Sequence, residues 1–470
     1  MSKKKTASVL KIGLIYTISN IIVRGMAFIT TPIFTRLLSQ AEYGDFSNIS
    51  SWANIISIVV TLQLHVSIVR AKYDYKDEIN KYLSSILILG NIVTLIWWGI
   101  AELNMGWFEN ILDMQRIYIR IIFFYTLFSP AMQMLIYKNR IYSQYKQVIL
   151  FTWITLLCSA GGSILLVLLF SNKLLGRVVG NYFIIAIVDI ILWIYIILKG
   201  KCISIKYWKY ALKFSVPLIP HELAGIILLS SDRIIIKRLC GSEDAALYSL
   251  AYTISTIASV LLSSLNQAWQ PWLYDHIEAG KTDDVRKWSI PYTIIFAAGC
   301  VGIMLIGPEI IYIFGGSTYM DAKYVIPPVC FGIMLQFIYT LYSNIEFYKK
   351  KTIWISVATL LSACINIALN FLLIPICGYI VAAYTTVIGY AFMVLFHYIV
   401  VRSKTDLIDL YNAKILCIIG ISVGVLMGFA LLLYETTGLR YMVILICGLL
   451  IMTLFFVKRK NIIKILKNKE

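Results

Sequence analysis

The chain has 470 residues, of which 60% are hydrophobic and 14% charged, against about 25% charged in a soluble protein. Together with a mean hydropathy of +0.80, this excludes a soluble globular fold. The formal charge of +18 comes from 42 Lys and Arg against 24 Asp and Glu. The bases sit in short clusters between long apolar runs, which points to loops at an anionic membrane face and away from nucleic acid.

In chain order, Lys3, Lys4 and Lys5 precede an apolar stretch and imitate a signal peptide. That stretch is too long, contains Arg24 and lacks a small-residue cleavage site, so it is expected to stay as a first helix. A membrane span needs about 20 mostly apolar residues. About fourteen such stretches follow one another. The first six are 12–34, 46–69, 82–101, 116–137, 148–170 and 178–198. The next six are 214–236, 245–270, 288–307, 326–348, 352–374 and 380–400, with 415–433 and 441–457 closing the chain. No hydrophilic loop exceeds about 18 residues, which leaves no room for a soluble catalytic domain. The expected fold is an all-α polytopic membrane protein, with a six-helix lobe in 1–200 and a second in 201–402. Residues 403–470 add two further spans and a basic tail.

With the N-terminus inside, inner loops and tails carry about 31 Lys and Arg and outer loops about 7, so both termini are expected to be cytoplasmic. The segment from Arg36 to Ser47 aligns without a gap with Arg238 to Ser249. Arg, Leu and Ser match, and Glu42 stands opposite Asp244. Six spans per unit give both units the same orientation, hence a pseudo-two-fold axis along the membrane normal.

Polar residues line two matching spans. The second carries Ser47, Ser50, Asn54, Ser57, Thr61 and His65 on one helical face, and the eighth carries Ser255, Ser259, Ser263, Asn266 and Gln270. One such stripe reads as interhelical glue; two on corresponding helices fit a water-filled cavity. In span eleven, Ser362, Asn366 and Asn370 read as helix packing, and Gly420, Gly424 and Gly428 in span thirteen read as a close contact with span fourteen.

Ionisable groups inside spans are few and expensive. Arg24, Asp189 and Glu222 fall near the midplane by helical rise. Arg24 reads as an anchor for an anionic group or as a structural partner of Asp189. Glu222 follows Pro217 and Pro220, and a carboxylate in such a helix break suits proton or sodium coupling; Asp189 is a second candidate for that role. Arg116 and Arg120 share one face near an outer helix end, either reaching the cavity or snorkelling to head groups. Asp232 and Arg233 are adjacent near the outer end of span seven, and Glu346 is placed to pair with Lys349 or Lys350. The nine cysteines include no CxxC pair, so neither zinc nor a disulfide framework is expected. Ala279-Gly280-Lys281-Thr282 lacks the first glycine and the preceding strand of a phosphate-binding loop. No cofactor is expected beyond the coupling ion.

The segment Pro32-Ile-Phe-Thr-Arg36-Leu-Leu before Glu42-Tyr-Gly44, and Ser231-Asp232-Arg233 before Tyr248-Ser-Leu-Ala-Tyr252, resemble the polysaccharide-transport flippases. These O-antigen and capsule repeat-unit flippases belong to the multidrug/oligosaccharidyl-lipid/polysaccharide exporter superfamily. The resemblance covers nearly the whole chain. It implies a MATE-like transporter of the bacterial cytoplasmic membrane that moves undecaprenyl-diphosphate-linked oligosaccharides to the outer leaflet by alternating access. It also implies that Arg24, with Arg233, Arg116 and Arg120, holds the pyrophosphate. Asn54, Ser57, Asn266, Gln270 and Gln267 are expected to meet sugar hydroxyls, with Trp269 and Trp272 offering ring faces. Asp232 joins Glu222 and Asp189 as an ion-coupling candidate. The expected partners are the lipid-linked oligosaccharide, membrane lipids and the polysaccharide polymerase machinery. The rival reading within the same fold is a cation-coupled multidrug antiporter, against which Arg24 argues.

Overall fold

A computed structural model describes residues 25–142, 144–446 and 448–449. All regular structure among them is helical. Helix α1 is described over 25–37, followed by α2 (Gln40–Thr61), α3 (Ile68–Asp74), α4 (Ile79–Leu103), α5 (Met105–Leu112) and α6 (Arg116–Ile141). Helices α7 (Tyr145–Leu169), α8 (Lys173–Val178) and α9 (Ile184–Gly200) complete the N-terminal half. The C-terminal half holds α10 (Ile205–Ser215), α11 (Ile219–Cys240), α12 (Ser242–Glu278), α13 (Thr282–Leu305), α14 (Gly307–Gly315), α15 (Ile326–Tyr348), α16 (Thr352–Cys377) and α17 (Val381–Lys404). Helix α18 (Ala413–Leu433) and α19 (Thr437–Ile446) follow.

Eleven of the described helices are long and apolar enough to cross a membrane, and a twelfth span counts if a bent pair is taken as one. The predicted span 12–34 and the predicted span 441–457 lie largely outside the described residues. So do Arg24 and the lysines before it.

That bent pair corrects the reading of 46–69 as one straight span. Helix α2 stops at Thr61, and Leu62 and Gln63 both take left-handed backbone (φ 51° and 50°) before the chain resumes at 54° to its first course. Non-glycine residues pay a steric cost in that region. His65, just beyond the break, is buried with its ring 4.6 Å from that of Tyr137.

The apolar core is divided. One cluster of buried side chains runs from Leu228 to Leu433, and the clusters of the other half draw on residues up to Ala211. The halves meet mainly where α2 packs against α11 and α12. At one end of that seam Gly44 lies so close to Ser242 that an added Cβ would stand 1.8 Å from its carbonyl oxygen. Ser47 and Ser249, the last pair of the aligned repeat, are hydrogen-bonded at 2.6 Å. Equivalent positions meet each other in this way where a two-fold axis passes between them.

Gly420 and Gly424 pack on Ile338 and Phe331 of α15, and most of the span expected beside them lies outside the described residues. One packing expectation changes. Glu346 is fully buried against His397 (2.7 Å), while Lys349 pairs with Asp406 at 2.6 Å. The lysine holds the exposed Asp406 carboxyl below its usual range.

Candidate functional site

At the closed end of the seam lies a pocket of about 150 Å³ built from both halves. Helix α1 supplies Thr30 and Thr31, α2 supplies Ser47 and Ser50, and α12 supplies Ser249 and Thr253. Two guanidinium groups enter it, Arg177 from α8 and Arg233 from α11. The Arg177 guanidinium lies 3.4 Å from the Phe34 ring centre and 4.3 Å from that of Phe46. Arg233 lies 4.8 Å from the Tyr252 ring centre. The Nε atoms of both arginines are buried and have no hydrogen-bond partner. Among the described residues neither arginine has a salt-bridging carboxylate, although Asp232 is next to Arg233 in sequence. Ring faces thus carry the two cations in place of anions, and the hydrogen-bonding forks stay available to a ligand.

Asp232 points the other way, into the C-terminal half. It is 2% exposed and accepts from Tyr248 Oη (2.6 Å), Asn370 Nδ2 (2.6 Å) and Thr386 Oγ1 (3.0 Å). Asn370 also donates to Asn366 Oδ1 (3.2 Å), and Asn366 donates to Thr385 and Thr386 (3.3 and 3.2 Å). The asparagines read as packing residues of span eleven are therefore the surround of the one carboxylate in this network. Hydroxyl and amide groups that now donate to the carboxylate can turn their oxygens toward a proton-bearing or cation-bearing form of it, which suits a proton or a small monovalent cation.

The pocket is shut by contacts between the halves. Lys237 bridges Asp45 (3.0 Å) and Asp113 (3.5 Å), and Ser242 donates to Asp45 at 2.6 Å. Arg36 donates to the Ile313 carbonyl at 3.0 Å and Gln40 to that of Glu243 at 3.3 Å. Away from this end the stripes of α2 and α12 open out. Asn54 and Gln267 are exposed, and Ser57, Ser259, Asn266 and Gln270 are half-buried. Asn266 accepts from Asn344 (2.8 Å), and Gln270 donates to Tyr274 (3.0 Å).

Other predicted residues are placed elsewhere. Arg116 is bound to Glu109 (3.1 Å) and Arg120 to Glu102 (2.8 Å through each of two nitrogens), all on the α4–α6 corner. Their charge is already neutralised, and they do not line the pocket. Hydrogen bonds from the Arg116 backbone and side chain hold the Glu109 carboxyl below its usual range. Glu222 is exposed in the first turn of α11 and is not enclosed by oxygens. Trp269 is buried, stacked on Tyr292 at 4.3 Å and donating to Tyr411, so its faces are taken. Asp189 lies in the N-terminal half, away from this seam.

Arg177 was not among the predicted site residues. The sequence placed it in a loop before a span starting at 178, whereas the helix runs on from Lys173 through a π-helical stretch at Val179–Phe183. The signal that marks it is a lone arginine on the side where the loops carry few bases.

Residues 9–276, more than half of the sequence, match the family described as "Polysaccharide biosynthesis protein". The chain belongs to that family. Among curated relatives, a protein of the Lsg locus of Haemophilus influenzae is 22% identical over 377 residues, covering 77% of this chain and 90% of the relative. Among solved structures, the lipid II flippase MurJ in an inward closed conformation aligns with a TM-score of 0.71 and 16% identity, over 96% of this chain and 100% of MurJ. An inward-facing multidrug resistance MATE transporter aligns with a TM-score of 0.56 and 12% identity, over 82% and 95%. This family member therefore has the fold of that transporter superfamily, in a multi-pass membrane chain.

Proposed function

We propose that the protein flips undecaprenyl-diphosphate-linked oligosaccharide repeat units across the bacterial cytoplasmic membrane by alternating access, for cell-surface polysaccharide biosynthesis. The observation that carries this reading is the Arg177–Arg233 pocket: two unpaired guanidinium groups, one from each half, among six serine and threonine hydroxyls and that of Tyr43 at the closed seam. Arginine forks match phosphate oxygens bidentately. A diphosphate and its sugars cannot cross about 30 Å of hydrocarbon unaided.

At about 150 Å³ the pocket has the volume of roughly five waters, so the glycan is accommodated only when the halves part. The diphosphate would bridge the two arginines while the sugars meet Asn54, Ser57, Asn266 and Gln270 and the prenyl chain stays in lipid. Arg24 is proposed to reach the same cavity from the first helix. Asp232, in its ring of amide and hydroxyl groups, is the proposed proton or sodium coupling site. Both termini are proposed to be cytoplasmic.

The decisive experiment reconstitutes the protein in liposomes with a prenyl-diphosphate oligosaccharide and follows its appearance in the far leaflet. Wild type should expose the lipid, Arg177→Ala and Arg233→Ala should abolish exposure while remaining folded, and Arg24→Ala tests the first-helix contact. Exposure untouched by both pocket variants removes the pocket from the reading. Efflux of cationic dyes without lipid exposure turns the reading to the antiporter.

A further inference from the structure

The N-terminal half contains a further cavity, apart from the Arg177–Arg233 pocket. It measures about 340 Å³ and lies between α6, α7 and α9. Asp189 of α9 lines it at 1% exposure, and neither of its carboxylate oxygens accepts a hydrogen bond. A carboxylate left bare in such a place is costly unless a charge or a proton joins it.

The rest of the lining decides the sign of the ligand. Thr152 donates its hydroxyl proton to the Val148 carbonyl (2.7 Å), Thr155 to that of Phe151 (3.0 Å) and Ser159 to Asn181 Oδ1 (2.7 Å). With those protons committed, the three hydroxyls can offer the cavity only lone pairs. Among the described residues no Lys, Arg or His lines it. Tyr125, Ser129 and Gln133 complete the polar lining and bring donors of their own, the Ser129 hydroxyl being unengaged. The one full charge in the cavity is nevertheless negative, which repels an anion and attracts a cation.

The charge count then limits the valence. Divalent-ion cages ordinarily combine several carboxylate and carbonyl oxygens, and here there is one carboxylate. The volume exceeds that of a bare ion and leaves room for several waters at about 30 Å³ each.

The cavity is held by firm neighbours. Asn181, which accepts from Ser159, sits in the π-helical stretch before α9, the kind of irregularity that recurs at functional sites. Gly180 beside it packs on the α7 backbone so closely that a Cβ would stand 2.3 Å from Ser163 Cα.

We propose that this cavity binds a monovalent inorganic cation, together with part of its water, on the Asp189 carboxylate. It is independent of the Asp232 network, which lies in the other half and whose carboxylate is already met by three donors.

Binding of radiolabelled sodium to the purified full-length protein, with no lipid substrate, tests this directly. Asp189→Asn should lose one saturable sodium site, while Thr155→Val, which keeps the carboxylate and the shape, should keep the site at several-fold weaker affinity. Lithium should compete, and a bulky organic ammonium should not. Asp232→Asn serves as the control: whatever it removes is counted separately, so failure of the proposed coupling site and failure of this one are distinguishable. Sodium capacity equal to wild type in a folded Asp189→Asn protein, or displacement by the organic ammonium, overturns the proposal.

Discussion

Asp189 and Asp232 are almost equally inaccessible, at 1% and 2% exposure, yet their surroundings are opposite. Asp232 is ringed by donors from three other helices, each aimed at its oxygens. Asp189 receives no hydrogen bond: three hydroxyls of its cavity spend their protons on backbone carbonyls or an asparagine oxygen, and Tyr125, Ser129 and Gln133 beside them do not reach it. The C-terminal half thus builds a carboxylate that must give up hydrogen bonds to take a proton or a cation, and the N-terminal half builds one that has none to give up. Burial alone does not tell the two carboxylates apart; the hydrogen bonds that reach them do.

Four experiments press on that contrast. The largest effect is expected where the C-terminal half is most fully closed. Glu346 and His397 are both wholly buried, and breaking such a pair by removing one partner costs about 3–5 kcal/mol. His397→Ala should therefore lower the melting temperature of the purified protein more than any other change discussed here. A near-native melt would mean that the pair contributes little to the packing of α15 on α17.

Next comes Asp232→Leu, which orphans the Tyr248 hydroxyl while Asn370 keeps Asn366 and Thr386 keeps the Ala382 carbonyl, at about 1–3 kcal/mol for an unsatisfied buried group. Asp189→Leu orphans nothing and should be neutral or stabilising. Equal losses of thermal stability for the two would erase the distinction between the halves.

The sequence had made part of this legible. Hydropathy marked the spans, and the alignment of Arg36–Ser47 with Arg238–Ser249 paired Ser47 with Ser249 before the structure brought them into contact. Asp232 stood out as an ionisable group inside a span. What surrounds it did not, because Asn366, Asn370 and Thr386 lie more than a hundred positions away, and side-chain direction across such separations is a product of packing. Arg177 was obscured for a local reason: an irregular helical turn moved the start of its helix by several residues. Arg116 and Arg120 misled because their partners, Glu109 and Glu102, approach from another segment.

A smaller effect is expected at the seam. Lys237→Ala removes the bridge to Asp45 and Asp113, a partly exposed contact worth about 1 kcal/mol or less. Disulfide trapping between Ser47→Cys and Ser249→Cys should then slow about fivefold at most. An unchanged trapping rate would show that backbone contacts alone hold the halves together.

The smallest effect concerns acid. Glu109, partly exposed, has its carboxyl held below the usual range by Arg116. Its contribution is therefore present above the ordinary glutamate pKa of about 4.3 and is lost as pH falls through the lower, folded value. Hydrogen exchange in α5 should rise only in that acidic window, and Arg116→Gln should remove the dependence. A rise already complete at neutral pH would contradict the assignment.

Gly44 deserves a last thought for what its lack of a side chain permits. Where its backbone meets Ser242, how near the two halves can come is limited by bulk and not by charge. A graded series there (Gly, Ala, Ser, Val) would act as wedges of increasing thickness. Each would shift the ratio of shut to parted molecules without altering any polar group in the pocket. Because every 1.4 kcal/mol is a tenfold change in such a ratio, one atom of carbon at this position works as a dial on how often the molecule presents its interior.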